Sequence, residues 1–220
     1  MIRFQNVGMT YHARNLRKTV LRDATFTIRP GDALAICGAN GAGKSTLMRL
    51  LAGVEMPTAG RVRRSMTVSW PIGFTSAFQS SLTGADNVRF IARIYRREGE
   101  RVLHFVEDFA QLGPYLYQPV KTYSAGMQAR LAFAISLAID FQCYLVDEIT
   151  GAGDERFRER YHDALVQRRH SGTLVMVSHA PETLKAFCTS GAVLHNARLT
   201  FFSTVGEALD VHQWYQRRAA

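Results

Sequence analysis

Short apolar runs alternate along this chain with longer stretches whose apolar residues recur every three or four positions. MIRFQNVGMTY alternates apolar and polar residues and predicts an edge strand, partnered by a second strand over ATFTIR. The basic residues 12–19 between them read as a loop. DALAICG is a short buried strand ending in glycine, and a helix follows from Lys44 to about Leu51. GVEMPTAG predicts a turn region, and one short strand spans roughly Arg61 to Ser69. Beyond WPIGFTSAFQ the period becomes helical, with helices from near Gly84 to Arg96, from about Glu98 to Leu112 and from Ser124 to Ile139. CYLVDE is a second buried strand, 154–169 a helix with a charged face, GTLVMVSH a third buried strand and 181–187 a short helix. AVLH and RLTFF flank Asn-Ala and predict a hairpin, and GEALDVHQWYQRR predicts a terminal helix.

Buried strands alternating with helices predict an α/β fold, its mostly parallel core sheet covered on both faces. A small antiparallel β region precedes that core. Three successive helices without a strand mark a helical subdomain at about 84–140. No internal repeat appears, so 1–220 reads as a single domain carrying one such unit.

Composition changes this picture little. The longest nearly apolar run, LAFAISLAI at 131–139, is far too short to cross a bilayer. No cleavable leader is expected, which places the chain in the cytoplasm, free to rest against a membrane. The net charge of +9 comes from 23 arginines and four lysines. Such a balance suits a solvated basic face, lipid headgroups or an acidic partner. No aromatic pattern interleaves the arginines, so no nucleic acid is expected. Cys37, Cys143 and Cys188 are odd in number and far apart, which predicts buried free thiols in a reducing compartment.

Candidate chemistry begins at GANGAGKS, 38–45, which fits G-x-x-x-x-G-K-[ST] between an apolar strand and a helix. Gly38, Asn40, Gly41 and Gly43 let successive backbone N–H groups turn toward phosphates. The helix start adds its positive end. Lys44 supplies a cation for the β- and γ-phosphates, Ser45 a hydroxyl for Mg²⁺, and Thr46 a further α-phosphate contact. This pattern predicts a nucleoside triphosphate site. In CYLVDE two acids leave the carboxyl end of a buried strand, where open sheets bind ligands. Asp147 is placed to hold Mg²⁺ and Glu148 to polarise an attacking water. His179 ends GTLVMVSH in the same way; it either contacts a γ-phosphate or caps a helix. Gln79, where the strand region gives way to helices, can reach the metal or the water. Tyr11 is either a base-stacking ring or a simple edge aromatic. In YSAGM, Ser124 is a good N-cap, and the small pair that follows leaves room for an anion from another molecule.

The ordered set GANGAGKST, Gln79, YSAGM, YLVDE, Asp154 and His179 resembles the ATP-binding subunits of ABC transporters. Their usual signature is LSGGQ; Ser124 and Gly126 match its serine and second glycine, whereas Tyr123, Ala125 and Met127 depart from it. Ile149 stands where a proline is usual, and GAGD at 151–154 is an altered D-loop that keeps its aspartate. More narrowly, SWP, SLTGADNVRF and YSAGM resemble the capsular polysaccharide export ATPases of Gram-negative bacteria, and the likeness runs over nearly the whole chain. It implies a P-loop NTPase fold of the ABC ATPase type, with ATP and Mg²⁺ as cofactors. It further implies that Tyr11 stacks on adenine, that Lys44, Ser45 and Gln79 contact phosphate and metal, and that Glu148 and His179 act as base and switch. Ser124 and Gly126 would complete the site of a second copy in a head-to-tail dimer. Residues 70–100 would face an integral permease, with the subunit held at the cytoplasmic face of the inner membrane beside anionic lipid. Exporters of O-antigen or teichoic acid are the nearest alternatives. A soluble ABC ATPase acting on nucleic acid or ribosomes, and a phosphate-loop kinase, represent different classes.

Overall fold

The structure, a computed structural model, describes residues 1–13, 16–72, 78–147 and 155–219. Glu148, Ile149 and Asp154 lie outside the described residues. The chain divides into two compact units, Met1–Pro71 with Gln142–Glu148 and Gln167–Ala220, and Ile72–Phe141 with Ile149–Val166.

The first unit holds two sheets. In the smaller, β1 (Ile2–Ala13) lies between β2 (Leu16–Ile28) and β4 (Ala59–Arg64), antiparallel to both. The first strand is therefore central, not an edge. Its alternation arises because one face packs on the core through Ile2, Phe4, Val7 and Met9 while the other meets solvent. Residues 12–19 are mostly strand as well: His12 pairs with Arg17, Tyr11 with Lys18 and Thr10 with Thr19. Charge made this stretch resemble a loop, but the two arms satisfy each other's backbone groups.

The larger sheet has the order β5 (Val68–Ile72), β6 (Cys143–Asp147), β7 (Thr173–Val177), β3 (Ala33–Cys37), β8 (Ser190–His195), β9 (Arg198–Phe202). β6, β7, β3 and β8 run parallel, and β9 returns antiparallel to β8. The β8–β9 turn uses Asn196 and Ala197, both at positive φ, as a two-residue hairpin requires. The single strand expected over 61–69 is in fact two, β4 and β5, in different sheets. Residues 65–67 carry the chain from one to the other, and Ser69 Oγ accepts from Leu145 N at 2.9 Å in the second. β3, β6 and β7 are almost wholly buried, which is why they read as continuous apolar runs. Helices α1 (Lys44–Ala52), α6 (Pro181–Phe187) and α7 (Val205–Ala219) belong to this unit. Cys37, Cys143 and Cys188 are all buried free thiols.

The second unit is built from α2 (Gly84–Ile94), α3 (Gly99–Ala110), α4 (Ala125–Ala138) and the first part of α5 (Glu155–Ser171). An unbroken buried run, Leu131–Leu137, makes α4 its axis. Phe133 packs against Phe109, Phe157 and Tyr161, joining α4 to α3 and α5. Among the described residues no helix is long and apolar enough to cross a membrane.

Candidate active site

In the first unit the parallel strands deliver three groups to one edge. Met176 of β7 pairs with both Ala35 of β3 and Val146 of β6. Gly38, Asp147 and His179 thus all leave the sheet at the carboxyl ends of adjacent strands, where α/β sheets bind ligands.

The phosphate loop is shaped by Gly43, the N-cap of α1. Its φ of 110° is a left-handed conformation that side chains rarely adopt, and a Cβ there would stand 3.0 Å from Val20 Cβ. The turn is closed by Ala42 N donating to Ala39 O at 3.1 Å. Asn40, Gly41 and Ser45 are exposed around it. Lys44 Nζ donates to Gly38 O at 2.7 Å and Ala39 O at 3.1 Å, which holds the ammonium within the curl of the loop. First-turn N–H groups of any helix lack intrahelical acceptors, so α1 adds donors to that cation. The result is a cradle for a polyanion.

Thr46 is buried, and its hydroxyl takes part in a polar network. Arg49 Nη2 donates to Thr46 Oγ1 at 3.2 Å and to Tyr11 Oη at 3.0 Å. Tyr11 Oη donates to Glu55 Oε1 at 2.6 Å, and Arg49 Nε to Glu55 Oε2 at 2.9 Å. With its hydroxyl engaged, Thr46 has its backbone N–H to offer an α-phosphate. The same network ties β1 to α1 and fixes the half-buried ring of Tyr11 beside the loop.

Ser45 and Asp147 offer a hydroxyl and a carboxylate, hard oxygen donors that suit Mg²⁺. Among the described residues no three His, Cys, Asp or Glu side chains gather to hold a metal unaided. Such a donor pair fits a metal that takes its remaining ligands from phosphate and water. Glu148 follows Asp147 outside the described residues. His179 is exposed beyond β7, in a turn where Ala180 N donates to Ser178 Oγ at 3.1 Å.

In the second unit, Ser124 caps α4: its Oγ accepts from Met127 N at 3.2 Å. Ala125 and Gly126 open that helix, where first-turn N–H groups lack intrahelical acceptors. Ser124 and Gly126, with Gln111, Tyr115, Met127 and Arg130, line an open hollow of about 530 Å³. Tyr123, the residue that departs from the usual leucine, is buried with its hydroxyl donating to Tyr115 O at 2.6 Å. That hydroxyl occupies the space a Cβ on Gly84 would need, so Gly84 and Tyr123 require each other. Two of the stretches that mark the narrower resemblance, SLTGADNVRF and YSAGM, are thus in direct contact. Gln79 is exposed, and its backbone is clamped by buried Asn87. Gln79 N donates to Asn87 Oδ1 at 2.9 Å, and Asn87 Nδ2 donates back to Gln79 O at 3.1 Å and to Thr83 O at 2.9 Å.

Two contributors escaped sequence reasoning. Asn87 looked like one polar residue on a helix, and only its burial gives it away. Lys18 was assigned to a loop. It faces Tyr11 across the β1–β2 pair, and its Nζ lies 4.0 Å from where a Cβ on Gly41 would stand. The Thr-Val that follows Lys18 was the available sign that the strand begins earlier.

Residues 21–151 match the ABC transporter family. The chain is 47% identical over 215 residues to ATP-binding protein BexA of Haemophilus influenzae, covering 98% of each chain. It is 45% identical over 212 residues to capsule polysaccharide export ATP-binding protein CtrD of Neisseria meningitidis serogroup B, covering 96% of this chain and 98% of that one. The fold resembles the dimeric ATP-binding cassette MJ0796 bound to ADP and Pi, with a TM-score of 0.76 at 23% identity, over 93% of this chain and 99% of that one. With a nucleotide-type loop, an acidic strand end and a signature-like helix start in the expected order, the chain belongs to the ABC transporter family, among its polysaccharide-export ATP-binding proteins.

Proposed function

We propose that this chain is the ATP-hydrolysing subunit of a capsular polysaccharide exporter, and that it works as a head-to-tail pair on the cytoplasmic side of an integral permease. The observation that carries the pairing is the start of α4. Ser124, Ala125 and Gly126 present a capped helix end whose remaining donors suit a phosphate, while the chain's own phosphates are already provided for by the loop at 38–45. A second copy supplies the triphosphate that this end would contact.

In each composite site Lys44 and the loop N–H groups bind the β- and γ-phosphates, and Tyr11 flanks the adenine. Ser45, Asp147 and Gln79 hold Mg²⁺, which neutralises phosphate charge when bound. Glu148 orients and polarises the attacking water. His179 bonds to a γ-phosphate oxygen or to that water, and so senses whether phosphate is present. The opposing Ser124 and Gly126 add hydrogen bonds to the same γ-phosphate. These bonds are charge-assisted and draw the two copies together. Hydrolysis removes the group they share, and the pair loosens.

The permease contact falls on residues 70–100. Phe90 and Ile94, one turn apart on α2, are 57% and 59% exposed, with Arg89 and Arg93 beside them. An amphipathic cytoplasmic helix of the permease fits that face, and surplus arginines suit the anionic leaflet around it. The cargo follows from a relative of nearly equal length, CtrD, that is named for capsule polysaccharide export.

The test uses the Glu148→Gln chain purified with and without its permease. With ATP and Mg²⁺ it is expected to bind nucleotide, to hydrolyse at least roughly 100-fold more slowly and to elute as a dimer. A chain that stays monomeric even beside its permease, or that hydrolyses at the parent rate, overturns this reading. Glycan analysis of the complex identifies the cargo.

A further inference from the structure

β1 and α1 do not need the polar network around Tyr11 to stay together. Met9 of β1 lies in the same buried cluster as Leu47, Met48, Leu50 and Leu51 of α1, so apolar packing already joins them. Past Met9 the strand runs out to the margin of that cluster, where Tyr11 is half-buried and His12 exposed. Phenylalanine would pack at this margin as well as tyrosine does. The hydroxyl is what brings in Arg49 and Glu55, and it calls for a separate reason.

Glu55 reaches that hydroxyl because of how α1 ends. Gly53 caps the helix at a φ of 81°, and Arg49 O accepts from the N–H groups of Gly53, Val54 and Glu55 at 3.0, 3.1 and 3.3 Å. This left-handed cap leaves Val54 and Met56 exposed and turns Glu55 inward, its side chain only 20% exposed, to meet the Arg49 guanidinium. The protons of the network can then be assigned. Tyr11 gives its single hydroxyl proton to Glu55 Oε1, so in the 3.2 Å contact between Tyr11 Oη and Thr46 Oγ1 the threonine is the donor. Arg49 Nη2 donates to both of those oxygens. The tyrosine hydroxyl thus gives one bond and receives two, and two of the three involve a charged partner, the stronger kind.

We propose that Arg49 and Glu55 are positioning residues for the nucleobase: they hold Tyr11 by its hydroxyl, so that its ring keeps one setting relative to the phosphate loop. This role rests on the reading above, in which Tyr11 flanks the adenine. Thr46 makes the link to the phosphates, because its side chain is bonded to the ring's hydroxyl while its backbone N–H is offered to the α-phosphate. A ring fixed beforehand loses no freedom when adenine arrives, and the ordering avoided appears as affinity. A ring without its anchor has to be ordered by the nucleotide itself. Ligands that carry phosphates but no base gain nothing from this preparation.

The experiment compares ATP with inorganic tripolyphosphate, which carries the phosphates without the base, binding to the full chain with Mg²⁺ by calorimetry. Tyr11→Ala, measured first, should weaken ATP and leave tripolyphosphate unchanged. Tyr11→Phe keeps the ring, removes one oxygen and spares the packing. It should weaken ATP about fivefold, close to 1 kcal/mol, again without touching tripolyphosphate. Glu55→Ala should do the same, and Glu55→Gln, which keeps an acceptor for the hydroxyl, should recover most of the loss. Tyr11→Phe combined with Glu55→Ala should weaken ATP no further than either alone, because both cut one anchor. A purely structural brace predicts the opposite: both ligands weaken together, and the double variant is worse than each single one. That result, or unchanged ATP affinity in Tyr11→Phe and Glu55→Ala, overturns the proposal. Tyr11→Ala separates the two readings. If it binds ATP as the parent does, the base contact falls and this role with it; if it weakens ATP while the two anchor variants do not, only the positioning role falls.

Discussion

The starts of α1 and α4 are two solutions to presenting a helix end to phosphate, and they differ in what surrounds the exposed N–H groups. At α1 the chain curls through a glycine at positive φ, and Lys44 is held inside the curl by two loop carbonyls. At α4 the cap is a neutral hydroxyl, bonded to its own helix, with small residues after it and an open hollow in front. The first arrangement concentrates charge and encloses its ligand; the second offers a few dipoles to something that arrives. Lys44 adds a full positive charge beside the phosphates where α4 adds only dipoles, so holding nucleotide should depend on α1 and closing the pair on α4.

The largest expected effect tests the first half. Lys44→Ala should weaken ATP binding by about 100-fold, near 3 kcal/mol, in a fluorescent-nucleotide titration. Gly126→Asp places a carboxylate against the opposing γ-phosphate. Hydrolysis should fall by at least roughly tenfold, while binding of ATP to the lone chain changes by less than about twofold. A mixture of Lys44→Ala and Gly126→Asp chains contains dimers in which one composite site has no altered residue, so hydrolysis should partly return. If the mixture stays as inactive as its components, the two helix ends do not meet across copies.

Smaller effects sharpen the contrast. Gly84→Ala forces a Cβ into the space of the Tyr123 hydroxyl and should destabilise the helical unit by about 1–3 kcal/mol, seen as a lower melting temperature. Tyr123→Phe in the same chain should relieve part of that loss. Lys18→Gln should weaken ATP by only about two- to threefold, roughly 0.5 kcal/mol, because an exposed lysine is well screened.

The phosphate loop, the acidic strand and the Ser124 cap were legible because each is local: its chemistry and its backbone geometry lie within a few consecutive residues. Core strands β3, β6 and β7 were legible for a related reason, since burial on both faces leaves an unbroken apolar run. What escaped depends on distant partners. Whether β1 is central or an edge is decided by β4, which pairs Arg64 with Ile2. The run from Arg61 to Ser69 gives no local sign that its two ends join different sheets. Asn87 was illegible as a clamp because nothing near it in sequence shows that it is buried against Gln79. Glu55 read simply as part of a turn region. Glu148 was placed by its position at the end of a buried strand, and Asp154 by resemblance alone.

Sequestration of the three cysteines has a practical consequence for testing all of this. Burial pushes the Cys37 thiol up to about 11 and those of Cys143 and Cys188 to about 12, the nearby lysine and arginine only partly opposing it for Cys37 and Cys188. Near neutral pH the native chain therefore has almost no thiolate to alkylate. A single cysteine introduced at an exposed position such as Ser124 or Ser81 becomes the sole reactive handle on an otherwise silent background, and probes can be attached without first removing any native sulfur.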